Sequence, residues 1–217
     1  MEILRTPDAC FEDLDGYPFA PHYVTIPDLE GGELRVHHVE EGPRDAPPIV
    51  LLHGNPTWSY SYRFVIPKLA SAGYRVIAPD LVGLGRSDKP SRREDYTYDR
   101  HLEWLRATIE ALDVRAATLV GQDWGGILAM SLLDVIGDRF DRVMISNTGV
   151  FRPDLKAPKD QDEATLAWVE TARTVDVMPV GLVVAAQSVR GLRPAEIAGY
   201  DAPYPSEPYK VCVRRFP

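Results

Sequence analysis

The sequence has few cysteines and no long apolar run, and each shortage excludes a class of protein. Cys10 and Cys212 are its only cysteines, so neither a disulfide framework nor a cysteine-based metal site is expected. No apolar run reaches the roughly 18–20 residues that a membrane-spanning helix needs. The first residues lack a basic head followed by an apolar run, so we expect no secretory signal. We therefore predict a soluble protein of the cytoplasm.

Basic residues are also in short supply. Lys and Arg number 24 against 32 Asp and Glu, so the formal net charge is −8. Residues 151–217 contain nine of each sign, which places the whole acidic excess in residues 1–150. A negative surface repels phosphate backbones and anionic lipids. We therefore expect no nucleic-acid partner and no membrane partner.

Short apolar runs alternate with helical patterns in residues 1–150, and this alternation predicts an α/β fold with a mostly parallel sheet. Ligand sites in such sheets lie in the loops at the carboxyl ends of the strands. The loops after Leu52, Ala78, Val120 and Ile145 are therefore the ones to inspect. The predicted strands are 22–26, 34–39, 48–52, 75–78, 117–120 and 143–145, and the predicted helices between them are 64–72, 98–112 and 127–136.

Proline becomes frequent after Gly149 and separates short helical patterns such as 163–174. Since no further strand pattern follows, we assign residues 1–150 to the core domain. Residues 151–217 are predicted to form an incomplete helical cap that begins near Phe151.

The clearest motif, Gly121-Gln122-Asp123-Trp124-Gly125-Gly126, directly follows a predicted strand. It has the frame of the nucleophile elbow, G-x-S-x-G, with Asp123 in place of serine. Asp123 could instead be an ordinary helix N-cap, but its place in an alternating α/β chain favours a nucleophile. A carboxylate nucleophile displaces a good leaving group from saturated carbon, and water then cleaves the resulting ester.

Two backbone N–H groups are candidates for an oxyanion hole at Asp123, those of Asn55 and Trp124. Asn55 belongs to a Gly-Asn-Pro loop that could also be a plain turn. The indole N–H of Trp124 suits a large, weakly hydrated anion, although the ring could simply fill space. His53 is a possible base, but a local hydrogen bond is the more usual fate of such a histidine. Composition alone favours a place in the hydrophobic core for Trp168.

The segment Gly83-Leu84-Gly85-Arg86-Ser87-Asp88-Lys89-Pro90 lacks the third glycine of a dinucleotide-binding fingerprint. We predict a structural loop there. Since no phosphate-binding, zinc or calcium motif occurs either, we expect neither a cofactor nor a metal ion.

Together, four motifs resemble those of haloalkane dehalogenases in the α/β-hydrolase superfamily. They are residues 53–60, 76–80, 83–90 and 122–126. Residues 15–19 and 213–217 are similar to the corresponding segments of the family branch that has a tryptophan in its cap. The resemblance implies hydrolysis of a small apolar haloalkane by water, through an aspartyl alkyl ester and without a cofactor. We expect a monomer.

The resemblance also assigns roles to individual residues. Asp123 would be the nucleophile and Trp124 a halide donor, while the N–H groups of Asn55 and Trp124 would form the oxyanion hole. Trp168 matches the cap tryptophan that gives the second halide hydrogen bond. The side chain at the Asn55 position does this in another branch, so both alternatives stay open.

The family's acid and base histidine follow its cap, whereas all five histidines here precede Asp123. We therefore expect that these 217 residues are a fragment, lack two core strands and do not turn over. Two alternatives remain. One is an epoxide hydrolase that would use Tyr200, Tyr204 or Tyr209 to protonate the ring oxygen. The other is an inert truncated paralogue that binds apolar ligands or a partner.

Overall fold

The computed structural model describes residues 1–149 and 163–216, which contain eight strands and seven α-helices. The strands are β1 (Ile3–Leu4), β2 (His22–Pro27), β3 (Glu33–Glu41), β4 (Pro48–Leu52), β5 (Arg75–Pro79), β6 (Lys89–Pro90), β7 (Ala117–Gln122) and β8 (Phe140–Ser146). The helices are α1 (Ile66–Ser71), α2 (Tyr98–Ala111), α3 (Trp124–Ile136), α4 (Glu163–Thr174), α5 (Val180–Ala186), α6 (Pro194–Asp201) and α7 (Val211–Arg215).

Six of the strands form one sheet in the order β2-β3-β5-β4-β7-β8. The last four strands in this order run parallel, and β2 and β3 join them as an antiparallel hairpin. The predicted mostly parallel α/β sheet is therefore confirmed. Strand β8 begins at Phe140, three residues earlier than predicted, because its pairing with β7 extends beyond its apolar centre.

Side chains of the central strands alternate between two hydrophobic clusters, one on each face of the sheet. Val50 and Leu52 of β4 pack in the cluster that contains residues of α2 and α3. Ile49 and Leu51 pack in the second cluster, together with Ile66 of α1. Helices therefore cover both faces, as the unbroken apolar runs of the strands require. Helix α1 begins at Ile66 rather than at residue 64, with a proline in its first turn.

Within residues 163–216 the structure contains four α-helices and no strand. These helices pack on the loops at the carboxyl ends of the strands. The indole Nε1 of Trp58 donates to the carbonyl of Gly199 at 3.0 Å, and Nδ2 of Asn55 donates to the carbonyl of Val213 at 3.1 Å. The predicted start of the cap at Phe151 lies outside the described residues, so the division at 150/151 stays a prediction. No helix in the described ranges is long and apolar enough to cross a membrane.

Candidate active site

Asp123 lies at the turn between β7 and α3 in a conformation that is uncommon for a residue with a side chain. Its φ is 56° and its ψ is −128°. Its N–H donates to the carbonyl of Asn147 at 3.1 Å, and Oγ1 of Thr148 donates to its carbonyl at 2.6 Å. The loop after β8 therefore holds the backbone of this turn from the side. A strained backbone kept in place by its neighbours is typical of functional positions.

Glycines around Asp123 are required by close backbone approach. A Cβ on Gly125 would lie 2.3 Å from the carbonyl oxygen of Leu52, and one on Gly121 would lie 2.7 Å from Cα of Gly126. A Cβ on Gly54 would lie 2.2 Å from Oδ1 of Asp123 itself. These positions leave no room for a methyl group. The glycines therefore bring the loop after β4 and the elbow after β7 into direct contact.

The carboxylate of Asp123 accepts two backbone hydrogen bonds. The N–H of Asn55 donates to Oδ1 at 2.8 Å, and the N–H of Trp124 also donates to the carboxyl group. Beyond this bond from Trp124, the side chain makes no capping hydrogen bond to the first turn of α3, so the N-cap alternative is not realised. Burial raises the pKa of Asp123, and the two backbone donors oppose that rise by stabilising the charged form.

The two candidates for the second halide donor differ in their surroundings. Nδ2 of Asn55 already donates to the carbonyl of Val213 at 3.1 Å, while Oδ1 of Asn55 is buried without a partner in the described parts of the chain. Trp168 lies on α4, half-buried, and packs against the same hydrophobic cluster as Trp124. The structure thus gives the Asn55 amide a structural bond and places Trp168 in the helical part above the sheet.

A cavity of about 160 Å³ lies beside Trp124. Phe216 lines it as well, and its ring centroid is 4.8 Å from that of Trp124. Neither Trp168 nor the three cap tyrosines line this cavity. Tyr200 packs edge-on against Tyr60, and the hydroxyl of Tyr204 is buried without a side-chain partner in the described ranges. The structure therefore gives the epoxide alternative none of its three cap tyrosines at this cavity.

His53 forms local hydrogen bonds and is not a base for the elbow. Its Nδ1 donates to the carbonyl of Gly54 at 2.9 Å, and its Nε2 accepts from the N–H of Leu81 at 3.0 Å. Because both ring nitrogens are used, this histidine is neutral, in agreement with the lowering of its pKa by burial. The only donors to the Asp123 side chain in the described residues are backbone amides, so none of the five histidines contacts it.

Asp80, which the sequence reasoning did not single out, organises the loop after β5. Its carboxylate accepts from the N–H groups of Ser59 and Arg86 and from Nδ1 of His37, each at 2.8 Å. Burial alone would raise the pKa of Asp80, but interactions that include His37 and the N–H of Arg86 together hold that pKa well below its usual range. The position of Asp80 directly after a buried strand is the sequence signal that could have identified it. Thr148, in the loop after β8, was missed as well, and its place after a strand was the corresponding signal.

In the ranges the structure describes, no group of three His, Cys, Asp or Glu side chains is placed to hold a metal ion.

Comparison with known proteins gives a consistent picture. Residues 47–187 match the family described as the alpha/beta hydrolase fold. The chain is 49% identical over its full length to a haloalkane dehalogenase of Mycobacterium marinum, of which it covers 72%. It is 46% identical to a haloalkane dehalogenase of Psychrobacter cryohalolentis and covers 70% of that protein.

Solved structures agree with these sequence matches. The tetrameric haloalkane dehalogenase DpaA from Paraglaciecola agarilytica NO2 superposes with a TM-score of 0.90 at 38% identity. That alignment covers 100% of this chain and 71% of the solved one.

Proposed function

The chain belongs to the haloalkane dehalogenases of the α/β-hydrolase family, and from that premise we propose that it hydrolyses haloalkanes to an alcohol and a halide with Asp123 as the nucleophile. One observation carries the assignment of the nucleophile. A carboxylate stands at a strained strand-to-helix turn and accepts two backbone N–H groups, which is the arrangement needed for covalent catalysis through an aspartyl ester.

In the first step a carboxylate oxygen of Asp123 attacks the halogen-bearing carbon. The new carbon–oxygen bond forms as the carbon–halogen bond breaks, and the halide leaves with the bonding electron pair. Asp123 must be ionised to attack, so the rate of this step falls as the pH drops through its raised pKa. The N–H of Asn55 holds Oδ1, which leaves Oδ2 as the oxygen that attacks.

In the second step water adds to the carboxyl carbon of the ester. The charge that develops on Oδ1 is stabilised by the N–H groups of Asn55 and Trp124. Collapse of this intermediate releases the alcohol and restores the carboxylate, with one proton passing to solvent. Since no histidine in the chain contacts Asp123, we expect residues 1–217 by themselves to accumulate the ester rather than to turn over.

For the departing halide we propose Trp124 as the first donor and Trp168 as the second. Trp168 is favoured over Asn55 because one of the two N–H donors of the Asn55 amide is already bonded to the carbonyl of Val213, which fixes the orientation of that side chain. The two variants Trp168→Phe and Asn55→Ala separate these roles, since Asn55→Ala keeps the backbone N–H. We expect Trp168→Phe to slow formation of the ester about tenfold and more than Asn55→Ala does. The opposite order would assign the donor to Asn55.

Mass spectrometry after incubation with 1,2-dibromoethane tests the proposal directly. We expect the peptide that contains Asp123 to gain a bromoethyl group. The modification should be absent in Asp123→Asn and present in Asp134→Asn, a matched control on the exposed side of α3. An unmodified wild-type peptide would support the inert alternative. Faster labelling by an epoxide than by the bromoalkane would support epoxide hydrolysis instead.

We further propose the cytoplasm as the compartment, which fits two unbridged cysteines, Cys10 half-buried and Cys212 buried. The monomer expected from the sequence stays a prediction, and the tetrameric structure of the Paraglaciecola relative makes it worth testing. Light scattering on the purified protein measures its mass in solution. A tetramer mass would overturn the prediction.

A further inference from the structure

We propose that the cavity beside Trp124 is an exit site for the halide product, which passes from the indole of Trp124 to the guanidinium of Arg215. This inference rests on the proposed function. The cavity of about 160 Å³ has space for roughly five waters at about 30 Å³ each. It therefore has room for a monoatomic anion with part of its hydration shell. Its walls come from the start of α2, the start of α3 and the end of α7.

Arg215 brings a positive charge to this cavity. Its side chain is exposed and makes no hydrogen bond or ion pair with any residue that the structure describes. In a chain with a net charge of −8, most of the surface repels an anion. An unpaired guanidinium on the cavity wall therefore offers a product anion a favourable place on its way to solvent.

The N-terminus of α2 adds a second favourable field. Thr97 is its N-cap, and the N–H of Arg100 donates to the Thr97 hydroxyl. The N–H groups at the first positions of the helix have no intrahelical partner, and the helix dipole is positive at this end. Thr97 and Tyr98 both line the cavity, whereas Asp99, the acidic residue of the same turn, does not.

His101 is the independent sign that the cavity receives a ligand. Its side chain is only 4% exposed, lines the cavity and makes no hydrogen bond within the described ranges. A buried polar side chain without a partner is uncommon. The ring is fixed by Phe216, whose centroid lies 4.1 Å away. A neutral imidazole carries one N–H, which an anion in the cavity can accept.

Trp124 connects the exit site with the nucleophile. Its backbone N–H donates to the Asp123 carboxylate, while its side chain lines the cavity. A halide displaced at Asp123 therefore meets Trp124 first and can leave along the wall formed by His101 and Arg215.

Chloride binding tests the exit site without any turnover. Line broadening in ³⁵Cl NMR measures exchange of chloride with the 217-residue protein. We expect Arg215→Gln to weaken chloride affinity about fivefold, the effect typical of one exposed ionic contact. Arg142→Gln removes the same charge from an exposed residue of β8 that does not line the cavity, and it should bind as the wild type does.

A single-turnover experiment then tests the exit route. Ester formation on Asp123 is followed by quenching and mass spectrometry, and free bromide is followed by a halide-sensitive dye in stopped flow. We expect bromide to appear together with the ester in the wild type and in Arg142→Gln, and to lag behind it in Arg215→Gln. Equal chloride affinity and no lag in Arg215→Gln would overturn the exit site. Absence of the ester from the wild type would instead refute the proposed function.

Discussion

Acidification should destabilise the protein through His101, and the size of this effect follows from its surroundings. Burial lowers the pKa of His101 to about 3, with a smaller contribution from Arg100. The ordinary value of about 6.5 applies to the unfolded chain. Above pH 6.5 the ring is neutral in both states. As the pH falls below 6.5, the unfolded chain binds a proton that the folded protein excludes, so the free energy of unfolding falls.

The expected loss is about 1.36 kcal/mol per pH unit between those two pKa values. At pH 5 this amounts to about 2 kcal/mol, and it approaches about 5 kcal/mol near pH 3. Urea unfolding followed by circular dichroism at pH 7.5 and pH 5.0 measures the difference. We expect the variant His101→Phe, which cannot titrate, to reduce the acid-induced loss by about 2 kcal/mol relative to the wild type.

The control keeps the titrating ring and changes its packing. Phe216→Leu alters the ring next to His101, so it should lower the free energy of unfolding by a similar amount at both pH values. If His101→Phe lost as much stability on acidification as the wild type does, the imidazole would have to be accessible to protons in the folded state. The burial argument would then be wrong.

Three further variants test the site and its support. Gly54→Ala places a Cβ 2.2 Å from the nucleophilic carboxylate and should reduce ester formation at least 100-fold. In the control Gly137→Ala the nearest neighbouring atom is 3.9 Å from the new Cβ, so ester formation should stay as in the wild type. Equal labelling of Asp123 in both variants would contradict the close contact between residue 54 and Asp123. Thr148→Val removes the hydroxyl bond to the elbow and should cost about 1 kcal/mol in urea unfolding, and an unchanged midpoint would show that this bond contributes nothing. Glu196→Gln breaks a buried 2.7 Å ion pair with Arg63 that links α6 to the segment before α1. It should cost roughly 3 kcal/mol, and a loss below 1 kcal/mol in the same assay would indicate that solvent reaches the pair.

Much of the core was predictable from local patterns because those patterns reflect the needs of single elements. A strand buried on both faces must be apolar throughout, so the run at 48–52 identifies β4 with its correct bounds. The turn after β7 needs glycine where backbone segments nearly touch, so the frame around Asp123 identifies the elbow. The start of α1 and the start of β8 were less accurate, since capping and edge pairing involve residues outside the pattern.

The candidate site was predictable only in part. The prediction that the N–H of Asn55 points at Asp123 agrees with the 2.8 Å contact. Asp80 and Thr148 were missed because one carboxylate or hydroxyl in a loop has no distinctive spacing. His101 was noted only as an unsuitable base, and Arg215 only as part of a motif.

The order of residues alone determined the alternation of strands and helices, the glycines of the elbow and the carboxylate at its centre. These features depend on conformational limits of neighbouring residues, which the sequence states directly. The tertiary structure decided which distant groups meet, among them the Asn55 amide at Asp123 and the imidazole of His101 beside Arg215. Such meetings depend on how loops close and side chains pack across 68 or more positions of the chain, and no local pattern records that.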